Sequence, residues 1–185
     1  MVIMIFLSYF LVGLVFGYDE SKCTPAELPI AMKCNIKHRE LRSQGATLDL
    51  EDDKNMRKLN ETCEEFLECS TQFKCGGTEK DVENIDEAVS YCHVVAFHVS
   101  PGYLDCIDKV DTKNSTCVQG WNPFPDFEGT EEEKAVKQKE ACRNFFGKDG
   151  CLEKEISDMC SVELWKDFKK HYLALNKIIE ACDFD

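Results

Sequence analysis

The sequence ACRNFFGKDGCLEKEISDMC, from Ala141 to Cys160, sets Cys142, Cys151 and Cys160 at an even interval of nine residues. Nine residues of continuous helix separate Cα atoms by about 13.5 Å, whereas a disulfide requires less than about 7 Å. No two of these cysteines therefore pair within one helix. The turn at 147–150 breaks the stretch, which allows a bridge between Cys142 and Cys151 without requiring one. We expect most of these cysteines to reach other helices as structural disulfides.

The chain contains 12 cysteines, an even number that predicts six disulfides in an oxidising compartment. Structural zinc favours close pairs such as C-x₂-C, and no two cysteines here are nearer than six residues apart. An even number also leaves no thiol over for nucleophilic catalysis. We therefore predict neither a metal site nor a catalytic cysteine. The predicted disulfide cysteines are Cys23, Cys34, Cys63, Cys69, Cys75, Cys92, Cys106, Cys117, Cys142, Cys151, Cys160 and Cys182.

Residues 1–17, MVIMIFLSYFLVGLVFG, form an apolar run that ends in small residues suited to signal peptidase. Cleavage after Gly17 predicts a secreted, extracellular domain over 18–185. The run lacks Lys and Arg, and its length is close to the minimum for spanning a bilayer. An uncleaved membrane anchor is therefore the alternative. Sequons at Asn60 and Asn114 predict glycosylation, which fits passage through the secretory route.

The charge balance is strongly acidic, with 22 Lys and Arg against 35 Asp and Glu, a net of −13. Nucleic acids and anionic lipid headgroups are bound by clustered cations. We therefore expect no nucleic-acid partner and, after signal cleavage, no stable insertion in a membrane.

Helix-capping signals recur along the chain. Thr24 with Glu27 and Thr130 with Glu133 are capping boxes, and Ser161 precedes a long amphipathic stretch. Strand-like alternation is absent. The sequence predicts an all-α, single disulfide-stapled domain of about six to seven helices, the fifth ending at Gly147.

The second predicted helix carries a stripe of Met56, Leu59, Phe66 and Phe73. At about 100° per residue, Cys63 and Cys69 fall on opposite edges of that stripe. We predict that these two cysteines bridge to separate helices, and that the helix ends just before Cys75.

Catalytic chemistry finds little support. No two of the four histidines lie four residues apart, and the charged surroundings of His38 and His171 predict that both are solvated. Cys92-His93 resembles the catalytic helix of secreted phospholipases A2. However, Val94 and Val95 follow in place of the acid, and the Gly-rich calcium loop is missing. We predict no enzymatic activity, no catalytic residue and no cofactor.

The Pro-rich loop from Trp121 to Phe127 is the feature most suggestive of binding. Aromatic side chains between prolines present a rigid, amphipathic contact surface. Trp121, Phe124 and Phe127 are therefore candidate partner contacts. The alternative is that these rings close over the core as a lid, since large aromatic side chains are usually mostly buried.

Four stretches carry a family resemblance: TCVQGWNPFPDF, KEACRNFFGKDGCLEKEISDMC, the helix from Trp165 to Ile179, and the terminal CDFD. With the cysteine pattern, they resemble the nematode-expanded family of secreted, cysteine-rich domains known as domain of unknown function nineteen. The resemblance covers Cys23 to Asp185. It implies secretion, disulfides and an all-α domain, and it assigns no functional residue.

The sequence thus favours a secreted, non-enzymatic binding module for an unknown extracellular protein or a small apolar ligand. A saposin-like carrier of small apolar ligands or lipids is the alternative, and a small secreted hydrolase is a weaker one.

Overall fold

The computed structural model describes residues 19–46, 53–113, 115–119, 121–125 and 127–184. Every regular element in these ranges is helical: seven α-helices of nine residues or more, one single-turn helix and two 3₁₀ turns. The helices are α1 Glu27–Ala46, α2 Asp53–Phe73, α3 Glu79–His98, α4 Pro101–Thr112, α5 Thr116–Gln119, α6 Glu131–Arg143, α7 Cys151–Met159 and α8 Val162–Ile179. The all-α prediction is confirmed. The predicted signal peptide (1–17) and Asn114 lie outside the described residues.

The helix starts follow the predicted caps. Thr130 and Glu133 exchange backbone-to-side-chain hydrogen bonds of 2.8 and 3.3 Å at the start of α6, and Thr24 and Glu27 do the same before α1. The Ser161 side chain accepts from the Leu164 N–H at 3.0 Å and caps α8. These hydrogen bonds satisfy amide donors that the helix itself leaves unpaired.

Two helical details differ from the prediction. Helix α6 ends at Arg143, not at Gly147, because a turn over 144–147 replaces its last turn. The single-turn helix α5 was not predicted, since four residues carry no periodicity to recognise.

The chain divides into two compact units, with the boundary between Val99 and Ser100. The first unit contains the disulfides Cys23–Cys75, Cys34–Cys69 and Cys63–Cys92. The second contains Cys106–Cys160, Cys117–Cys151 and Cys142–Cys182. These six bonds pair all 12 cysteines of the chain, each of which lies in the described ranges. Whether 18–185 behaves as one domain, as the sequence suggests, stays a prediction, and each unit is described by itself.

In the first unit, α2 lies against both α1 and α3. Its Leu59, Phe66 and Phe73 are at most 1% exposed, as the apolar stripe predicts. Cys69 bridges to α1 and Cys63 to α3. The prediction that these cysteines reach separate helices is confirmed, and α2 ends at Phe73, before Cys75.

His38 is buried, so the prediction that it is solvated is wrong. It lies within α1 rather than in a solvated turn, and it is 5% exposed. Its imidazole stacks on Phe66 at 5.5 Å between ring centroids and lies 5.7 Å from the Phe73 ring. Burial, with a smaller contribution from the positive charge of Arg42, lowers the pKa of His38 to about 4.

In the second unit, the core is a continuous aromatic cluster. Trp165 stacks on Phe168 at 5.8 Å, and Phe168 stacks on Tyr172 at 4.3 Å. The Tyr103 and Tyr172 hydroxyls lie 3.4 Å apart, and burial raises the pKa of both phenols. The spacing of Leu104, Ile107 and Val110 on α4 predicts that all three face inward. Val110 is 1% exposed, but Leu104 is 39% exposed.

The chain after α8 folds back onto the second unit. Asn176 donates to the carbonyl oxygen of Cys182 at 2.7 Å and accepts from its N–H at 2.8 Å. Gln138 donates to the Ala181 carbonyl at 2.6 Å, and the Phe184 ring lies 5.0 Å from Phe145. Together with the disulfide at Cys182, these contacts fix the C-terminal segment.

Candidate functional site

The three evenly spaced cysteines all bond to residues outside the 141–160 stretch. Cys142 pairs with Cys182, Cys151 with Cys117, and Cys160 with Cys106. The open possibility of a local Cys142–Cys151 bridge is not realised. The stretch therefore links three separate parts of the second unit, which is the structural role that helical rise predicts.

Gly147 packs directly against one of these disulfides. A Cβ added at this position would lie 2.6 Å from Cys151 Sγ and 3.0 Å from Cys117 Sγ, and its φ is +81°. Any side chain would therefore collide with the sulfur atoms in a backbone conformation that L-residues rarely adopt. This close approach forms the floor of a surface cleft.

The cleft has a volume of about 390 Å³ and lies beside the Trp121–Phe127 loop. One wall is the loop and the disulfide with its flanking residues, and the other is α6 with the turn that follows it. The lining residues are Thr116, Cys117, Trp121, Asn122, Phe127, Lys137, Glu140, Ala141, Asn144, Gly147, Lys148 and Cys151.

Trp121 is held in place at the edge of this cleft. Its indole N–H donates to the Phe145 carbonyl at 2.8 Å, and its ring lies 5.5 Å from Phe168 and 5.0 Å from Tyr172. The side chain is half-buried, so one part packs on the core while another faces the cleft.

The three aromatic residues singled out from the sequence have different positions. Trp121 and Phe127 are half-buried and line the cleft. Phe124 is only 7% exposed and packs edge-to-face on Phe145 at 5.4 Å. Phe124 thus occupies the lid position, anchoring the loop that presents the other two. Partner contact by this loop stays a prediction.

The opposite wall supplies charge and hydrogen-bonding groups. Lys137, Glu140 and Asn144 lie one helical turn apart along α6 and its cap, with Lys148 beyond. The Lys137 ammonium donates to the Glu128 carbonyl at 2.8 Å, which closes the loop against the helix. These residues were not predicted as part of a site, although their i, i+3, i+7 spacing after an aromatic loop was a readable signal.

This arrangement offers a ligand both apolar and charged contacts. The two cysteines in the lining are bonded to each other, so neither supplies a thiolate. A rigid aromatic edge opposite two ammonium groups and one carboxylate fits a ligand with an apolar body and polar ends.

The residues considered for catalysis lie elsewhere. Cys92 is buried and bonded to Cys63, and His93 next to it on α3 is exposed. Within the described ranges, no group of three or more His, Cys, Asp or Glu side chains is placed to hold a metal ion. In the same ranges, no helix combines the length and apolar character needed to cross a membrane.

The sequon at Asn60 lies within α2. Asn60 is half-buried and its amide donates to Glu64 at 2.8 Å. Thr62 is 7% exposed, and its hydroxyl donates to the Lys58 carbonyl. A glycan on Asn60 would replace the bond to Glu64, and glycosylation at either sequon stays a prediction.

The model of the family described as Domain of unknown function (DUF19) matches residues 23–183. The chain belongs to this family. The resemblance seen in the sequence is therefore confirmed, and its span agrees closely with the expected one. The match extends over the cysteine framework of both units, from Cys23 to Cys182.

Curated relatives come from the nematode Caenorhabditis elegans. UPF0376 protein F10G2.1 is 36% identical over 168 residues, covering 89% of this chain and 83% of the relative. Excretory canal abnormal exc-13 is 30% identical over 170 residues, covering 89% of this chain and 83% of the relative. UPF0376 protein C36C5.12 is 30% identical over 186 residues, 94% of this chain and 84% of the relative. No solved structure matches the chain.

Proposed function

We propose that the protein is a secreted, non-enzymatic binding module, and that its ligand occupies the cleft beside the Trp121–Phe127 loop. One observation carries the proposal. The half-buried Trp121 and Phe127 are presented on a cleft whose opposite wall carries Lys137, Glu140 and Lys148. Aromatic side chains surrounded by polar groups are typical of the residues that dominate binding energy in protein interfaces.

The support for a preformed site comes from the constraints on both walls. The Cys117–Cys151 disulfide underlies the cleft, and Cys142–Cys182 fixes the end of α6. Trp121 is fixed by its hydrogen bond to the Phe145 carbonyl. Groups already held in place lose little conformational freedom when a ligand arrives, which favours affinity.

The cleft volume favours insertion of a small apolar group. A volume of about 390 Å³ falls in the range of about 300–1,000 Å³ common for ligand sites. An apolar side chain from an extracellular protein, flanked by polar groups, fits both walls. Six disulfides, which form in an oxidising compartment, support the extracellular setting.

The experiment is an interaction screen against extracellular proteins, using the oxidised domain of residues 18–185. Any partner found is then tested against Phe127→Ser and Lys148→Glu, which change one wall each. Val136→Ser is the matched control, because Val136 lies on α6 with 69% of its surface exposed and outside the cleft lining. Both cleft variants should lose binding, with folding verified by circular dichroism, and the control should retain it.

Three results would contradict the proposal. Equal binding by the cleft variants and the control would place the contact elsewhere. Hydrolysis of ester or peptide substrates by the purified domain would contradict a non-enzymatic role and favour the hydrolase. Lipid that co-purifies with the domain in native mass spectrometry would favour the saposin-like carrier.

A further inference from the structure

Helix α1 carries two apolar residues, Met32 and Ile36, on the side that faces away from the core of the first unit. Its buried side is formed by Ala31, Cys34 and Leu41, each at most 1% exposed. At about 100° per residue, Met32 and Ile36 lie one turn apart on the opposite side. Each is 57% exposed. The helix therefore carries a second apolar face, which has no partner among the described residues of this unit.

This face borders a surface cleft of about 450 Å³. Residues of α1 form most of the lining, with Phe73 from the end of α2 and Glu20 from the preceding 3₁₀ turn. The lining residues are Glu20, Ala31, Met32, Lys33, Asn35, Ile36, Arg39 and Phe73. Scattered apolar side chains on a surface are ordinary, but an adjacent pair at a cleft is typical of a contact surface.

The charge at this cleft is opposite to that of the whole chain. Residues 33–42 contain four cations and only one acid, Glu40, whereas the protein has a net charge of −13. Lys37 is engaged on another side of the helix, 2.8 Å from Glu40 and 2.6 Å from Glu65. Lys33 and Arg39 line the cleft beside the apolar pair. They place positive charge on either side of Met32 and Ile36.

We infer that this face docks an acidic, amphipathic helical segment of a partner protein. Apolar residues at i and i+4 of that segment would contact Met32 and Ile36, and flanking carboxylates would pair with Lys33 and Arg39. Flexible methionine side chains adapt readily to such partners, and helix-in-groove binding uses this spacing. The site lies in the first unit and does not depend on the function proposed for the second.

Other occupants fit the observations less well. An anionic bilayer would attract the two cations, but its broad surface would also face the acidic residues around them that give the protein its net charge of −13, whereas a single helix meets the cleft alone. A fatty acid requires a site that covers most of its tail. Met32 and Ile36, however, lie more than half exposed on the outward side of a helix. A peptide helix covers such a surface while leaving its own polar face in water.

The test uses two synthetic helical peptides and fluorescence anisotropy. Both carry Leu at i and i+4, and they differ only in flanking Glu or flanking Lys. The Glu peptide should bind the oxidised protein, more weakly as salt rises, and the Lys peptide should not. Met32→Ser with Ile36→Ser should weaken binding about tenfold or more, since two buried apolar contacts are lost.

The charge-reversal variant gives the sharper result. Lys33→Glu with Arg39→Glu should abolish binding of the Glu peptide and create binding of the Lys peptide. Arg57→Glu with Lys58→Glu is the matched control, with the same charge change at exposed positions of α2 away from the cleft. The control should still bind the Glu peptide and not the Lys peptide.

Four outcomes would overturn the inference. The first is equal binding of the Glu peptide by the charge-reversal variant and the control. The second is no binding of the Glu peptide by the wild-type protein. The third is wild-type binding to phosphatidylserine vesicles that the apolar variant loses, which would make the face a membrane contact. The fourth is a wild-type oligomer that the same variant dissociates, which would make the occupant a second copy of the chain.

Discussion

Gly147 lies so close to Cys151 that a single added carbon would stand 2.6 Å from the sulfur of the cysteine. The disulfide between Cys151 and Cys117 therefore packs directly against the backbone of Gly147, with no side chain between them. Gly147 also closes the turn over 144–147 that replaces the last turn of α6, since its N–H donates to the Asn144 carbonyl at 2.8 Å. The glycine in the Asn-Phe-Phe-Gly-Lys turn is thus required by two separate constraints, its positive φ and this contact.

Comparing Gly147→Ala with Gly150→Ala separates these constraints. Both glycines have positive φ, +81° and +70°, but a Cβ at Gly150 would meet nothing within 4 Å. Gly150→Ala should lower the free energy of unfolding by about 1 kcal/mol, from backbone strain alone. Gly147→Ala should lower it by at least about 2 kcal/mol more, because the disulfide must shift. Chemical denaturation measures both, and equal losses would refute the contact.

The local features of the fold were predictable because they depend on neighbours in the sequence. Capping boxes such as Thr130 with Glu133 involve residues three apart, and the structure forms them. The separate partners of Cys63 and Cys69 followed from helical geometry. Angles around a helix reveal which residues point in different directions without revealing what they meet.

What could not be predicted depends on tertiary contacts. The cysteine pairing required knowing which helices are neighbours. His38 appeared solvated because charged residues surround it in sequence, yet the α1 register turns it toward Phe66 and Phe73. The sequence identified the aromatic residues of the 121–127 loop. It did not show that Phe124 is buried whereas Phe127 lines the cleft.

Acid should destabilise the first unit through His38. Its pKa is lowered from 6.5 to about 4 in the folded protein, so the unfolded chain binds more protons between these values. Stability is then fully present above about pH 6.5 and is lost as the pH falls toward 4. The difference between the folded and unfolded pKa of His38 corresponds to about 3 kcal/mol of stability. Urea denaturation at a series of pH values measures this dependence.

The variant His38→Leu removes the titrating group while keeping an apolar side chain of similar size. Its stability should fall less steeply between pH 6.5 and 4 than that of the wild type. His93→Asn is the control, since the exposed imidazole of His93 is not taken out of water on folding. If His38→Leu shows the wild-type slope, acid acts through other groups, such as carboxylates or His98, whose pKa burial also lowers.

Phe124→Ala tests whether the loop is anchored by this ring. Phe124 is 7% exposed and contacts Phe145, so its truncation should lower the free energy of unfolding by about 3 kcal/mol. Phe127→Ala, at the half-buried ring lining the cleft, should cost about 1 kcal/mol. A Phe124→Ala protein as stable as wild type would contradict the lid position. It would return Phe124 to the candidate partner contacts.

The paired hydrogen bonds between Asn176 and Cys182 predict an unusual pH response for Asn176→Asp. One carboxylate oxygen can still accept from the Cys182 N–H, but the other faces the Cys182 carbonyl oxygen, to which the amide donates at 2.7 Å in the wild type. Because Asn176 is 4% exposed, the variant should lose about 3 kcal/mol at pH 7.

Protonation of that carboxyl restores a donor toward the carbonyl, so the pKa of the new Asp side chain should be raised on folding. A raised folded pKa means that the native state binds the extra proton, and the variant should therefore recover stability relative to wild type as the pH falls. Asn176→Ala is the matched control, since it loses both hydrogen bonds and has no group to titrate. Parallel stability curves for Asn176→Asp and Asn176→Ala between pH 7 and 4 would show that the carbonyl contact does not govern the C-terminal segment.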